Sequence, residues 1–465
     1  MRISSRLLLF IAQAFVAFSD LGQVRTCGVG SLGLAPGSSV CLADQISLTC
    51  QDDDCNSPRQ HVWTHTSPCD QGDFADQPIC VFADNTFAGG RGISLVTTPQ
   101  RASFLTTTPA FTEPGRVNGI NHDPNTTPKY EMREIPGKGM GLVATAPILR
   151  GDLILANTAS LMIDYRAFHE LSKPRYTALQ AAAVSHLPPS HQSLILSLSA
   201  HNTTPTDTTS NPSAPEPSSI IAAIAATNSF DIDPHPSDPA DEHNSFFVLF
   251  PDVARLNHDC RPNAEYRFDY GALAQHVVAA RDIYPGEEIT LSYIDGLQVR
   301  SERVGRLRKN WGFECSCALC GLGGTARGVE ADERAELILR VRGELRDWKG
   351  RGRGKGKGSR ACPEMAELLV SLYETERLWG EVHEAYSLAA LEYNAVGEPW
   401  LAVKYARLAV EYGIPMLGEE DEDLGELRRL AEDPWSHWSW ERMVRGENGG
   451  RGGGSKGEGG RADGA

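Results

Sequence analysis

Three cysteines, Cys315, Cys317 and Cys320, stand in a C-x-C-x2-C run. Zinc takes thiolates at the corners of a tetrahedron, and so tight a loop can supply three of them, leaving the fourth to come from elsewhere in the chain. Cys260, within Asn257-His258-Asp259-Cys260, joins these three in one of the two cysteine groups of the sequence. A metal so held has no open position for water, so its work would be structural. Upstream, Gly137-Lys138-Gly139-Met140-Gly141 forms a glycine-rich turn ahead of an apolar strand pattern. Glycine there tolerates positive φ and lets a ligand approach the backbone, although an ordinary hairpin turn reads the same way. Downstream, Gly286-Glu287-Glu288-Ile289-Thr290-Leu291-Ser292-Tyr293 ends an acidic-apolar strand on a tyrosine.

These motifs need strands to hold them. From residue 129 onward, KYEMREI, GLVAT and DLILANTASLMI are short apolar or alternating runs broken by Gly-Lys-Gly and Arg150-Gly151-Asp152 turns. Ala264, Tyr266, Phe268 and Tyr270 alternate, and HVVAARD and EITLSYI flank a Pro285-Gly286 turn. Residues 166–199 have near-helical spacing of Leu171, Leu179, Ala183, Leu187, Leu194 and Leu198. Residues 201–239 are rich in Thr, Ser, Pro and Asn around one short apolar run, and read as a disordered insert. Beyond Cys320, Met365, Leu368, Leu369 and Leu372 fit one helix face and Leu401, Tyr405, Leu408, Ala409 and Tyr412 another, with Gly397-Glu398-Pro399 and Gly413-Ile414-Pro415 as punctuation.

In this order and at these spacings the motifs resemble the SET-domain protein-lysine methyltransferases. The resemblance covers residues 130–322, interrupted by an insert at 166–245. It implies a mainly β SET fold, a β-clip of short sheets with a knot-like C-terminal segment, and Cys260 as the fourth ligand beside Cys315, Cys317 and Cys320. It also implies two cofactors, S-adenosyl-L-methionine and a structural Zn2+. Lys138, Gly139, Met140, Gly141, Asn257, His258, Tyr293 and Phe313 would bind the methyl donor, with Phe313 stacked on adenine and Tyr293 catalytic. Asp259 replaces the serine commoner in the family's Asn-His-Ser-Cys motif. The expected reaction is transfer of a methyl group to a lysine of a protein, histone included. An inactive SET scaffold that only binds, and a secreted interaction protein, are the alternatives. The tail resembles the tetratricopeptide-like, helical-hairpin C-terminus of SET-and-MYND relatives, and could bind protein. Residues 165–245 hold no cysteine, so the MYND zinc module is absent, as in fungal-type relatives.

Net charge of -16 argues against a nucleic-acid surface, which needs a basic stripe, and suits a cationic partner. No segment is long and apolar enough to be expected to span a membrane. Residues 1–6 are basic, 7–18 apolar, and Ala17 and Ser19 small, the pattern of a secretory signal over residues 1–19. Cys27, Cys41, Cys50, Cys55, Cys69 and Cys80 follow within a cysteine-rich region, 23–90, read as a disulfide framework of open connectivity. Asn125 and Asn202 stand in glycosylation triplets. The N-terminus therefore points to the secretory pathway or beyond the cell, whereas the family resemblance implies nucleus or cytoplasm. The remaining expected units are a connector over 87–128, the SET domain over 129–295, a zinc segment over 311–322, a helical region over 330–445 and a disordered tail over 446–465. Cys362 reads as an idle or buried thiol, and the basic glycine-rich run 349–360 as a solvated loop.

Overall fold

Period-two apolar patterning folds the first two-thirds of the chain into thirteen strands among the residues described by this computed structural model, which are 62–72, 77–121, 127–201, 217–233, 245–348 and 361–443. The signal-like start, Cys27, Cys41, Cys50, Cys55, Asn125, Asn202, the run 349–360 and the tail lie outside them. In chain order the strands are β1 (Cys69–Asp70), β2 (Ile79–Asp84), β3 (Ile93–Thr97), β4 (Tyr130–Ile135), β5 (Gly139–Ala144), β6 (Leu153–Thr158) and β7 (Leu161–Asp164). Then come β8 (Ser229–Ile232), β9 (Phe246–Leu249), β10 (Asn257–His258), β11 (Ala264–Asp269), β12 (Ala274–Ala279) and β13 (Glu288–Leu291). They form three sheets, ordered β1-β2-β3-β7-β9-β8, β10-β13-β5-β4 and β11-β12-β6.

The largest sheet is covered on both faces, which explains its unbroken apolar strands. On β2, Cys80 and Phe82 face the main core while Ile79 and Val81 face a second one. On β7, Met162 and the pair Leu161 and Ile163 divide in the same way. Helices α5 (Tyr165–Glu170), α6 (Lys173–Ser185), α7 (Pro189–Leu196) and α8 (Pro217–Asn228) carry Ala167, Leu179, Ala183, Ile195 and Ile224 into the second core.

In three places the fold goes beyond what the sequence pattern specifies. The cysteine-rich region does not end as a separate unit at residue 90, because β2 and β3 are antiparallel partners and β3 continues in parallel to β7. The connector is not merely turns. It holds α1 (Phe87–Gly90), α2 (Pro99–Leu105), α3 (Pro109–Thr112) and α4 (Pro114–Val117), the last three with proline in the first turn, where its missing N–H costs nothing. The insert, too, contributes packed structure, since α8 and β8 bury Ile221, Ile224, Ala225 and Ile232.

After the sheets come α9 (Arg300–Trp311), α10 (Ala326–Arg346), α11 (Pro363–Thr375), α12 (Val382–Ala395), α13 (Pro399–Leu417) and α14 (Glu422–Glu432). The last five share one apolar core. Leu368 and Leu401, expected on the buried faces, are exposed, whereas Leu369, Leu372, Tyr405 and Ala409 are buried. Gly413-Ile414-Pro415 does not end a helix but lies within α13. Proline there forfeits only a bond of the final turn, and its ring packs on Gly151 of the β-domain. Beside it, the Arg150 guanidinium lies 3.8 Å from the centre of the Tyr412 ring, and Met416 packs on Val278 and Ala280. The helices are thus docked on the three-stranded sheet.

Candidate active site and cysteine centre

The glycine-rich turn joins β4 to β5, with Gly137 and Gly139 at φ of 75° and 77°. Gly139 has open space where a Cβ would stand, so its backbone is free for a ligand to approach. Gly141 is the opposite case. A Cβ there would lie 2.7 Å from Asn257 Nδ2 and 2.8 Å from Ile135 Cγ1, so only glycine lets the loop close on the Asn-His bend.

Closure is made by Glu288. Its Oε2 pairs with Lys138 Nζ at 2.6 Å and its Oε1 accepts from Asn257 Nδ2 at 2.9 Å. Asn257 Nδ2 also reaches the Met140 carbonyl at 3.3 Å, and the Met140 side chain is exposed. Beneath the bend, β10 runs parallel to β13, and Asn263 Nδ2 donates to the Glu288 carbonyl while its Oδ1 accepts the Thr290 N–H, each at 2.9 Å. Lys138, Gly139, Met140, Gly141 and Asn257, taken from two motifs over a hundred residues apart, are thereby brought together.

Tyr293 follows β13 and is half-buried. Its hydroxyl donates to the Leu256 carbonyl at 2.7 Å, and burial, reinforced by the Glu288 carboxylate, pushes the phenol well above its usual range. The side chain is a fixed, protonated phenol at neutral pH. His258 and Phe313 lie 5.3 and 6.5 Å from its ring centre, with Phe313 half-buried. Sequence reasoning missed Trp311, whose ring lies 5.3 Å from Tyr293 and whose Nε1–H donates to the Thr227 carbonyl at the end of α8. Nothing in the local sequence marks this tryptophan as part of the site. Glu288 was legible as part of the Gly-Glu-Glu motif, but its bridging role was not.

His258 connects the phenol to the cysteines. Its Nδ1 accepts the Tyr293 N–H at 3.1 Å, so Nε2 carries the proton and faces Cys260 Sγ at 3.3 Å. Burial draws its pKa down to about 4, so the ring is neutral at pH 7. Asp259 uses the carboxylate that replaces serine to accept the Arg261 N–H at 2.8 Å, and burial raises it to about 6.

Cys260, Cys315, Cys317 and Cys320 converge with all four sulfurs within 4.8 Å of one another. Cys260 Sγ is 4.0 Å from Cys315 Sγ and 3.6 Å from Cys320 Sγ, far from bonding distance. A tetrahedral zinc with sulfur about 2.3 Å away sets its ligands roughly 3.8 Å apart, so the donor set and spacing fit that ion. The loop is aimed at the bend by Gly312, which ends α9 in the left-handed region at φ 75°. Cys362 stands outside the cluster. Of the N-terminal cysteines, Cys69 and Cys80 are bonded to each other across β1 and β2.

Residues 139–294 match the model of the SET domain family. N-lysine methyltransferase SMYD2-B of Danio rerio is 43% identical over 77 residues, 17% of this chain and 17% of that protein. N-lysine methyltransferase SMYD2 of Rattus norvegicus is 38% identical over 110 residues, 23% of each chain. Protein-lysine N-trimethyltransferase SMYD5 of Homo sapiens is 40% identical over 109 residues, 23% of this chain and 25% of that one. The matched stretch thus spans a quarter or less of these relatives' length. The family match, residues 139–294, takes in Gly139 to Gly141, the Asn-His bend and Tyr293, and this part of the chain is a SET domain.

Proposed function

We propose that this SET-domain protein transfers the methyl group of S-adenosylmethionine to a lysine side chain of a protein. One observation carries the reading. A half-buried, proton-bearing Tyr293, ringed by Trp311, Phe313 and His258, sits beside a glycine turn and an Asn-His bend that Glu288 draws together.

The donor would lie against the open backbone of Gly139 and Met140 and against Asn257, with Phe313 offering a ring face for its adenine, and would supply an electrophilic methyl on a positively charged sulfur. The residues of the chain then have two tasks. A free lysine amine has a pKa of about 10.4 and must lose its proton to become a nucleophile. An amine packed against Tyr293 and Trp311 would lose water, which disfavours its ammonium form. Because Tyr293 keeps its own proton, it orients rather than abstracts, and the rate comes from alignment and fixed dipoles. Cys260, Cys315, Cys317 and Cys320 would hold a zinc ion that fastens the Phe313 segment to the bend, with no part in the reaction.

Substrate proteins, histones among them, are the cationic partners that an acidic chain suits, and the docked helices offer a protein-binding face. Residues 1–19 support secretory targeting, and the SET domain supports nucleus or cytoplasm. N-terminal sequencing of tagged protein from medium and from lysate distinguishes these. The functional test incubates the purified full chain with methyl-labelled S-adenosylmethionine, histones and a panel of lysine peptides. Label on lysine is the expected result, and donor binding without transfer to any lysine would favour an inactive scaffold.

A further inference from the structure

The helical region reaches into the cysteine centre through buried charge. Arg261 directly follows Cys260, and its Nη1 donates to the Cys260 and Gly296 carbonyls, each at 2.8 Å. Its Nη2 pairs at 2.7 Å with Oε2 of Glu376, which caps the end of α11 with a side chain only 3% exposed. The other oxygen of Glu376 accepts from Arg334 Nε on α10 at 2.6 Å. The opposite flank is built alike. Arg300 donates its N–H to Asp332 of α10 at 2.9 Å and its Nε to the Cys320 carbonyl at 2.8 Å. Arg303, also buried, lies 3.7 Å from Asp332. Two of the four cysteines therefore have their carbonyls held by arginines that are anchored on carboxylates of the helical region.

We propose that Glu376 is a positioning residue: through Arg261 it fixes Cys260 and the Asn257-His258 bend, so that the helical region governs both metal retention and methyl-donor affinity. The inference rests on the zinc and methyl-donor readings given above. The physical reason is directional. A guanidinium fork can serve two carbonyls and a carboxylate together only while the carboxylate holds its plane. When Glu376 is neutralised, Arg334 still has Glu330 at 3.9 Å, but the buried Arg261 loses its carboxylate partner, swings toward solvent and releases the bend. Outer-shell partners of this kind typically change metal affinity by about 10-fold to 100-fold.

The test compares Glu376→Gln and Arg261→Lys with Glu384→Gln in the full chain. Glu384, on α12, pairs with Arg342 and Arg346 in the same helical region but faces no cysteine. Two quantities are read at matched loss of Tm: the rate of zinc release to a chromogenic chelator, and S-adenosylmethionine affinity by calorimetry, with KM and kcat alongside. Glu376→Gln and Arg261→Lys are expected to speed zinc release by about 10-fold and to raise the donor KM by a similar factor with kcat nearly unchanged, while Glu384→Gln alters neither. Zinc release and donor affinity equal to those of Glu384→Gln would overturn the proposal. If Glu376→Gln fails to fold, Arg261→Lys decides alone. If the parent chain holds zinc but binds no donor, the methyltransferase reading fails while the zinc measurement still judges the relay.

Discussion

Cys69 and Cys80 face each other across an antiparallel ladder, Cα atoms 3.9 Å apart, and are bonded. Cys260 and Cys315, 55 residues apart, approach within 4.0 Å without bonding, because Cys317 and Cys320 complete a set of four around a common centre. The same side chain is thus given two chemistries by its backbone. A strand pair offers each sulfur a single partner. A bend facing a tight loop offers a tetrahedron of sulfurs that a metal fills better than any pairing does. The consequences differ in scale. The disulfide closes a short loop on β2, a strand that the sheet already holds on its other edge. The four-cysteine centre joins the Asn257-His258 bend to the segment carrying Phe313.

Breaking the stronger half of this contrast gives the largest expected effect. Cys317→Ser should drop zinc from one ion per chain to almost none and abolish the cooperative melting of the SET domain. Structural zinc contributes on the order of 10 kcal/mol of apparent binding free energy. Metal analysis with calorimetry reads both, and retained zinc with an unchanged Tm would dissolve the contrast.

Tyr293→Phe sharpens it by separating chemistry from scaffold. The Leu256 carbonyl loses its donor and the proposed site its fixed hydroxyl, so methyl transfer should fall by about 100-fold or more while zinc content and donor affinity persist. Undiminished turnover would remove Tyr293 from its role.

The weaker half is tested by Cys69→Ala with Cys80→Ala. Opening that loop should cost about 2–3 kcal/mol, seen as a Tm several degrees lower, with zinc content unchanged. Loss of zinc in this variant would show the two cysteine groups to be coupled. The smallest effect is expected from Gly141→Ala. The added methyl meets Asn257 and Ile135, and displacing the Lys138–Glu288–Asn257 link should cost about 1–2 kcal/mol, an affinity loss of roughly 10-fold for the donor by calorimetry.

Much of this was legible in the chain because the motifs impose local geometry. C-x-C-x2-C constrains its sulfurs to one loop, and the Gly-Lys-Gly-Met-Gly turn admits few conformations. Strands β4 to β6 and β11 to β13 announced themselves by alternation between turn residues. What stayed hidden depends on contacts distant in sequence. Nothing near residues 79–97 says that two apolar runs will extend the sheet of β7, because strand pairing is set by the partner's edge. Trp311 acquires its place from Thr227 and Tyr293, and Glu376 from Arg261, across gaps that no periodicity spans. Pro415 was read as a stop because its local rule is strong, yet docking on Gly151 outweighs one lost helix bond.

Native mass spectrometry of the folded full chain, followed by thiol mapping, tests the central claim most directly. The account predicts one zinc ion per chain, with Cys260, Cys315, Cys317 and Cys320 protected from alkylation until a chelator is added. A metal-free protein in which those four sulfurs are oxidised in pairs would contradict it.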